Sequence, residues 1–107
     1  MHNYLNENVP KVAVAHSLKY NQYQYYLSSL EYLGAEAFIN CFELTEVTLG
    51  TKLKEISDHA FENCKKLTLI NLENVEVIGI QAFAEAGLVT VDLSDAIYVD
   101  RYAFVNN

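Results

Sequence analysis

The chain has no tryptophan, one proline, four glycines and two cysteines in 107 residues. So little proline and glycine excludes collagen-like and low-complexity sequence, and two cysteines exclude a small domain held by a disulfide framework. No apolar run reaches the roughly 18 residues that a membrane helix requires. The opening Met1-His2-Asn3-Tyr4-Leu5-Asn6-Glu7-Asn8 lacks the basic start and apolar stretch of a signal peptide. Positive charge is scarce, with seven Lys and Arg against 14 Asp and Glu and a formal net charge of −7. Beyond Lys66 the acids Glu73, Glu76, Glu85, Asp92, Asp95 and Asp100 face Arg101 alone. That half repels nucleic acid and anionic lipid, so neither a nucleic-acid partner nor membrane insertion is expected. Lys52, Lys54, Lys65 and Lys66 are interrupted by Glu55, Asp58 and Glu62 and read as a solvated face.

What is present is apolar side chains, 51% of the sequence, enough for one domain that buries roughly 65% of its unfolded surface. Their order is periodic. The pair Ala-Phe recurs at Ala37-Phe38, Ala60-Phe61, Ala82-Phe83 and Ala103-Phe104, at spacings of 23, 22 and 21 residues. Four positions before each Ala stand Leu33, Ile56, Ile78 and Val99, and seven before it Leu30, Leu53, Val75 and Ala96. Further back come Tyr25/Leu27, Val47/Leu49, Ile70/Leu72 and Val91/Leu93, preceded in the last three repeats by Leu44, Leu67 and Leu88. The first repeat diverges, with Gln22 in the place of that leucine.

Alternation of period two over Leu-x-x-(Ile/Val)-x-Leu predicts a short strand with one buried face at the start of each repeat. A second extended stretch, such as Val75-Glu76-Val77-Ile78, then leads into a compact turn holding Ala-Phe. Gly34, Gly50, Gly79 and Gly87 fall at the bends. The fold class expected is an α/β-type leucine-rich-repeat solenoid: short parallel strands with turns or short helical turns, in about four coils of 21–23 residues. Residues 20–107 form the repeat domain. Residues 1–19 are expected to be an N-terminal cap or degenerate half-repeat, with Val12-Ala13-Val14-Ala15 as a strand.

The stretch from Leu44-Thr-Glu-Val-Thr-Leu through Ile56 to Ala60-Phe61-Glu-Asn-Cys64 and Leu67 resembles the BspA-like leucine-rich repeat. The resemblance covers roughly Tyr20 to Asn107 and includes the trailing Asn40-Cys41 and Asn63-Cys64; the third repeat departs with Ala84-Glu85-Ala86. It implies a protein-binding module of a surface or secreted adhesion or recognition protein, not an enzyme, and it names no partner.

Cys41 and Cys64 are equivalent in adjacent repeats, which predicts neighbouring, buried free thiols, with a disulfide and a metal site as weaker alternatives. His59 beside Asp58 suggests an acid–base pair, but Glu36, Gln81 and Tyr102 stand at the positions equivalent to His59, so it reads as a variable surface site. His2 and His16 have no nucleophile at a recognisable elbow. No catalytic, metal or cofactor-binding residue is therefore assigned. Tyr20, Tyr23, Tyr25, Tyr26 and Tyr32 crowd the first repeat; Tyr25 is expected in the core and the others over it, with an interface as the alternative.

The residues flanking the inward apolar position of each first strand are expected on the outer sheet face: Gln24 and Tyr26, Glu46 and Thr48, Leu69 and Asn71, Thr90 and Asp92. These eight are the candidate partner-binding residues. The alternative from a different class is a structural module that self-associates through open solenoid ends, at the C-terminal repeat from Val99 to Asn107.

Overall fold

Strands in this chain are short because each carries only two to four residues between turns, so their stability comes from pairing with the next repeat rather than from length. The computed structural model describes residues 12–13 and 23–107. Its strands are β1 (Val12–Ala13), β2 (Gln24–Leu27), β3 (Tyr32–Leu33), β4 (Glu46–Leu49), β5 (Glu55–Ile56), β6 (Leu69–Ile70), β7 (Val77–Ile78) and β8 (Tyr98–Val99). They form three parallel sheets, ordered β1-β3, β2-β4-β6 and β5-β7-β8.

The register follows the sequence alignment of the repeats. Tyr25 faces Val47 and Leu27 faces Leu49, Val47 then faces Ile70, and Ile56, Ile78 and Val99 line up in the other sheet. These inward residues are buried, except Val99, which is half-buried like Val91 and Leu93 of the same repeat. Burial alternates along β2 and β4 with period two, which fixes the register, because a slip of one residue would turn every apolar side chain outward.

Among the described residues there is no helix; the Ala-Phe segments are turns. The backbone hydrogen bonds explain why. In the turn of Phe38, the N–H groups of Ala37, Ile39 and Cys41 donate to carbonyls three residues back, whereas those of Glu36, Phe38 and Asn40 donate to Asp58, Ala60 and Glu62 of the next repeat. A helix would commit every N–H within its own segment; here alternate donors are turned across to the neighbouring repeat, and both sets are satisfied. Left-handed residues bracket the turns: φ is positive at Glu36 and Asn40, His59 and Asn63, Gln81 and Glu85, and Asn106.

The Phe side chains of these turns stack. Centroid separations are 5.1 Å for Phe38–Phe61, 5.3 Å for Phe61–Phe83 and 5.2 Å for Phe83–Phe104, with ring planes within 4° of parallel. Tyr25 closes the column edge-on against Phe38 at 5.2 Å. A ring in the middle of this column buries both faces.

The glycines were expected as bend residues, and conformational freedom is not what they supply. No described glycine has positive φ. A Cβ at Gly50 would overlap the Ser28 carbonyl, and one at Gly87 would stand 2.6 Å from the Lys65 carbonyl oxygen. Both positions are bare because the preceding repeat's backbone passes against them. Val12 and Ala13 fall in the expected N-terminal strand and pair with Tyr32 and Leu33. The remainder of the expected cap, including Val14, Ala15, His2 and His16, lies outside the described residues, as do Tyr20 and Gln22.

Candidate functional site

Because inward positions alternate along the strands, the residues between them share the outer face of the β2-β4-β6 sheet. Register places Gln24, Glu46 and Leu69 in one row and Tyr26 beside Thr48 in the next. Gln24, Tyr26, Glu46, Thr48 and Asn71 are half-buried, and Leu69, Thr90 and Asp92 are exposed. Leu69 is the prominent one, an aliphatic side chain left 58% exposed on β6, the edge strand of this sheet. Thr90 and Asp92 extend the face past β6, in a stretch that makes no strand.

Six of the eight candidate residues line one groove of about 600 Å³: Glu46, Thr48, Leu69, Asn71, Thr90 and Asp92. Gln24 and Tyr26 stand outside its lining but are wired to it, since the Tyr26 hydroxyl donates to Gln24 Oε1 at 3.0 Å and Gln24 Nε2 donates to Glu46 Oε1 at 3.1 Å. Glu73 also lines the groove. Sequence reading missed it, although the alternation 69, 71, 73 carried the signal.

These polar groups are not equally available. Asn71 is turned onto the backbone of Leu49, accepting from its N–H at 2.7 Å and donating to its carbonyl at 2.9 Å, so it holds β4 in place. Asp92 accepts the Ser94 N–H at 2.9 Å and the Ser94 hydroxyl, and these bonds hold its carboxyl below the usual range. Among the described residues, Thr48, Thr90 and Glu73 find no side-chain hydrogen-bond or ion-pair partner, and Leu69 offers no polar group.

Elsewhere, the sequence neighbours Asp58 and His59 are separated in role. Asp58 Oδ1 accepts the Ile80 N–H at 2.9 Å, while His59 Nδ1 lies 2.6 Å from Glu62 Oε1. Cys41 is half-buried and Cys64 buried, both as free thiols. The Cys64 thiol donates to the Phe38 carbonyl at 3.1 Å. The neighbouring Cys64 thiol holds Cys41 below its ordinary range, whereas Cys41 together with burial pushes Cys64 up. Asn107 occupies the place of Cys64 in the last repeat and does the same work, its amide donating to the Phe83 carbonyl at 2.6 Å. Among the described residues no three His, Cys, Asp or Glu side chains converge on a metal position, and no helix is long and apolar enough to cross a membrane.

In comparisons with known proteins, a family model described as BspA type leucine rich repeat region (6 copies) matches residues 15–107. No curated protein and no solved structure matches the chain.

Proposed function

The chain belongs to the BspA-type leucine-rich repeat family, and from that premise we propose that it is a non-catalytic protein-interaction module that binds its partner on the outer face of the β2-β4-β6 sheet. Repeats of this kind suggest an interaction module; the choice of face rests on one observation, the groove centred on exposed Leu69. A large apolar side chain ringed by polar ones is the arrangement of an interface anchor. On this reading residues 20–107 wind as a right-handed solenoid of four coils behind a cap formed by residues 1–19. The module then serves in an adhesion or recognition protein at the cell surface.

The test is capture of extracellular-surface proteins by the immobilised chain, compared among variants. Leu69→Arg and Tyr26→Ala are expected to abolish capture of a given partner while leaving the circular-dichroism spectrum and melting temperature nearly unchanged. Glu76→Arg, outside the groove, should leave capture intact. Equal capture by all the variants would refute the assignment of the face.

A second reading is self-association by stacking on the last repeat, and one observation favours it. Val91, Leu93, Val99 and Phe104 are half-buried where their counterparts in the preceding repeat are buried, and Ile97 beside them is 78% exposed. Light scattering over a hundredfold concentration range distinguishes the two. Mass rising above 12.1 kDa, and suppressed by Val99→Asp, would establish stacking; a constant mass would dismiss it.

A further inference from the structure

Resting on the groove reading above, we infer that the occupant is a basic polypeptide segment: an apolar side chain seated on Leu69, flanked by lysines or arginines that meet Glu46, Glu73 and Asp92. Three carboxylates line this groove and no Lys, Arg or His does. Among the described residues, Lys52 pairs with Glu31, Lys65 with Glu85 and Lys66 with Glu43, Arg101 lies over the Tyr102 ring, and Lys54 does not line the groove. The acids of the groove therefore repel one another without local compensation, and a cationic partner relieves that repulsion as it binds.

A divalent cation is the wrong occupant, because no three of the described carboxylates converge on one point. Charge spread along a groove with an exposed leucine matches side chains spread along a polypeptide. An anionic partner would meet the same sign of charge. The apolar contact supplies affinity that salt does not screen, and the rim charges supply orientation and encounter rate.

The experiment uses the full chain, isotope-labelled, titrated with three synthetic peptides: Gly-Lys-Arg-Leu-Arg-Lys-Gly, its acidic counterpart Gly-Glu-Asp-Leu-Asp-Glu-Gly, and a neutral Ser/Asn version around the same leucine. Expected are amide shifts at Thr48, Leu69 and Thr90 with the basic peptide, at least tenfold tighter than with the neutral one. That affinity should weaken about tenfold between 50 and 300 mM salt, and at least tenfold in Leu69→Ala and in Glu73→Lys. Both residues lie at the surface, and the unperturbed remainder of each variant's spectrum reports an intact fold. Equal groove shifts with neutral or acidic peptide would overturn the charge inference while sparing the groove. Shifts spread over Glu76, Glu85, Asp95 and Asp100 and indifferent to Leu69→Ala would mean general attraction to an acidic surface and overturn the inference. With no peptide perturbing the groove, both the inference and the reading beneath it fall.

Discussion

Left-handed backbone at non-glycine residues is expensive, roughly 1–2 kcal/mol each, and asparagine tolerates it because its short amide bonds locally. Asn40, Asn63 and Asn106 occupy the left-handed position that closes their turns, with φ of 63°, 65° and 61°, but Glu85 stands there in the third at 57°. Glu85→Asn should therefore raise stability by about 0.5–1 kcal/mol, since the exposed ion pair it forfeits with Lys65 contributes little; a denaturant titration with unchanged m-value checks it. The Asn that follows Phe by two positions in the first, second and fourth repeats was plain in the sequence, yet its φ was not, because a side chain that trails a turn looks the same whether it caps, ligates or merely solvates. The cysteines carry a second prediction. Cys41, half-buried and held below its ordinary range by the neighbouring Cys64, should be alkylated by iodoacetamide in the native protein, and Cys64 only after unfolding. Replacing Cys64 with Ala should slow the modification of Cys41 at neutral pH. Unchanged kinetics would mean the two thiols do not communicate.

An element in this chain is a row of equivalent residues as much as a segment, and its cost of mutation depends on what passes beside it. At the end of β4, Gly50 is pressed against the Ser28 carbonyl, so Gly50→Ala must push two repeats apart and should cost about 1–3 kcal/mol by urea denaturation. The same change at a solvent-facing bend would cost a few tenths. Strand register was legible because the 21–23-residue spacing aligns Tyr25, Val47 and Ile70, or Ile56, Ile78 and Val99, without any structural information, although the first strand expected at Val91/Leu93 does not form. The outer face was legible by the same alternation, and Thr48, Leu69 and Thr90 fell where it placed them. What alternation does not reveal is how a polar side chain spends its hydrogen bonds. Asn71 faced the right way and is consumed by the Leu49 backbone, and Glu73 extended the groove past the last residue that the strand pattern named. Why the bends carry glycine was illegible for a related reason. A glycine at a bend and a glycine under a neighbouring backbone are identical in one dimension and differ only in what the next repeat brings against them.

Across the whole molecule each repeat leans on its neighbours, so stability should be graded along the stack rather than uniform. Phe61 and Phe83 each have a ring on both faces and are fully buried, whereas Phe104 has Phe83 on one face and is half-buried. Phe61→Ala should then cost on the order of 3–5 kcal/mol, and Phe104→Ala markedly less, about 1–3 kcal/mol, because part of its surface is already in water. Backbone donors follow the same gradient. The Phe61 and Asn63 N–H groups reach across to Ala82 and Ala84, whereas the equivalent N–H groups of the last repeat, on Phe104 and Asn106, donate to no backbone carbonyl among the described residues. Native-state hydrogen exchange should therefore find the Phe61 and Asn63 amides at least tenfold better protected than those of Phe104 and Asn106. Uniform protection from Phe38 to Phe104 would mean that the chain unfolds as one unit, and the stacking picture, in which stability is a sum over neighbouring repeats, would have to give way to a single cooperative core.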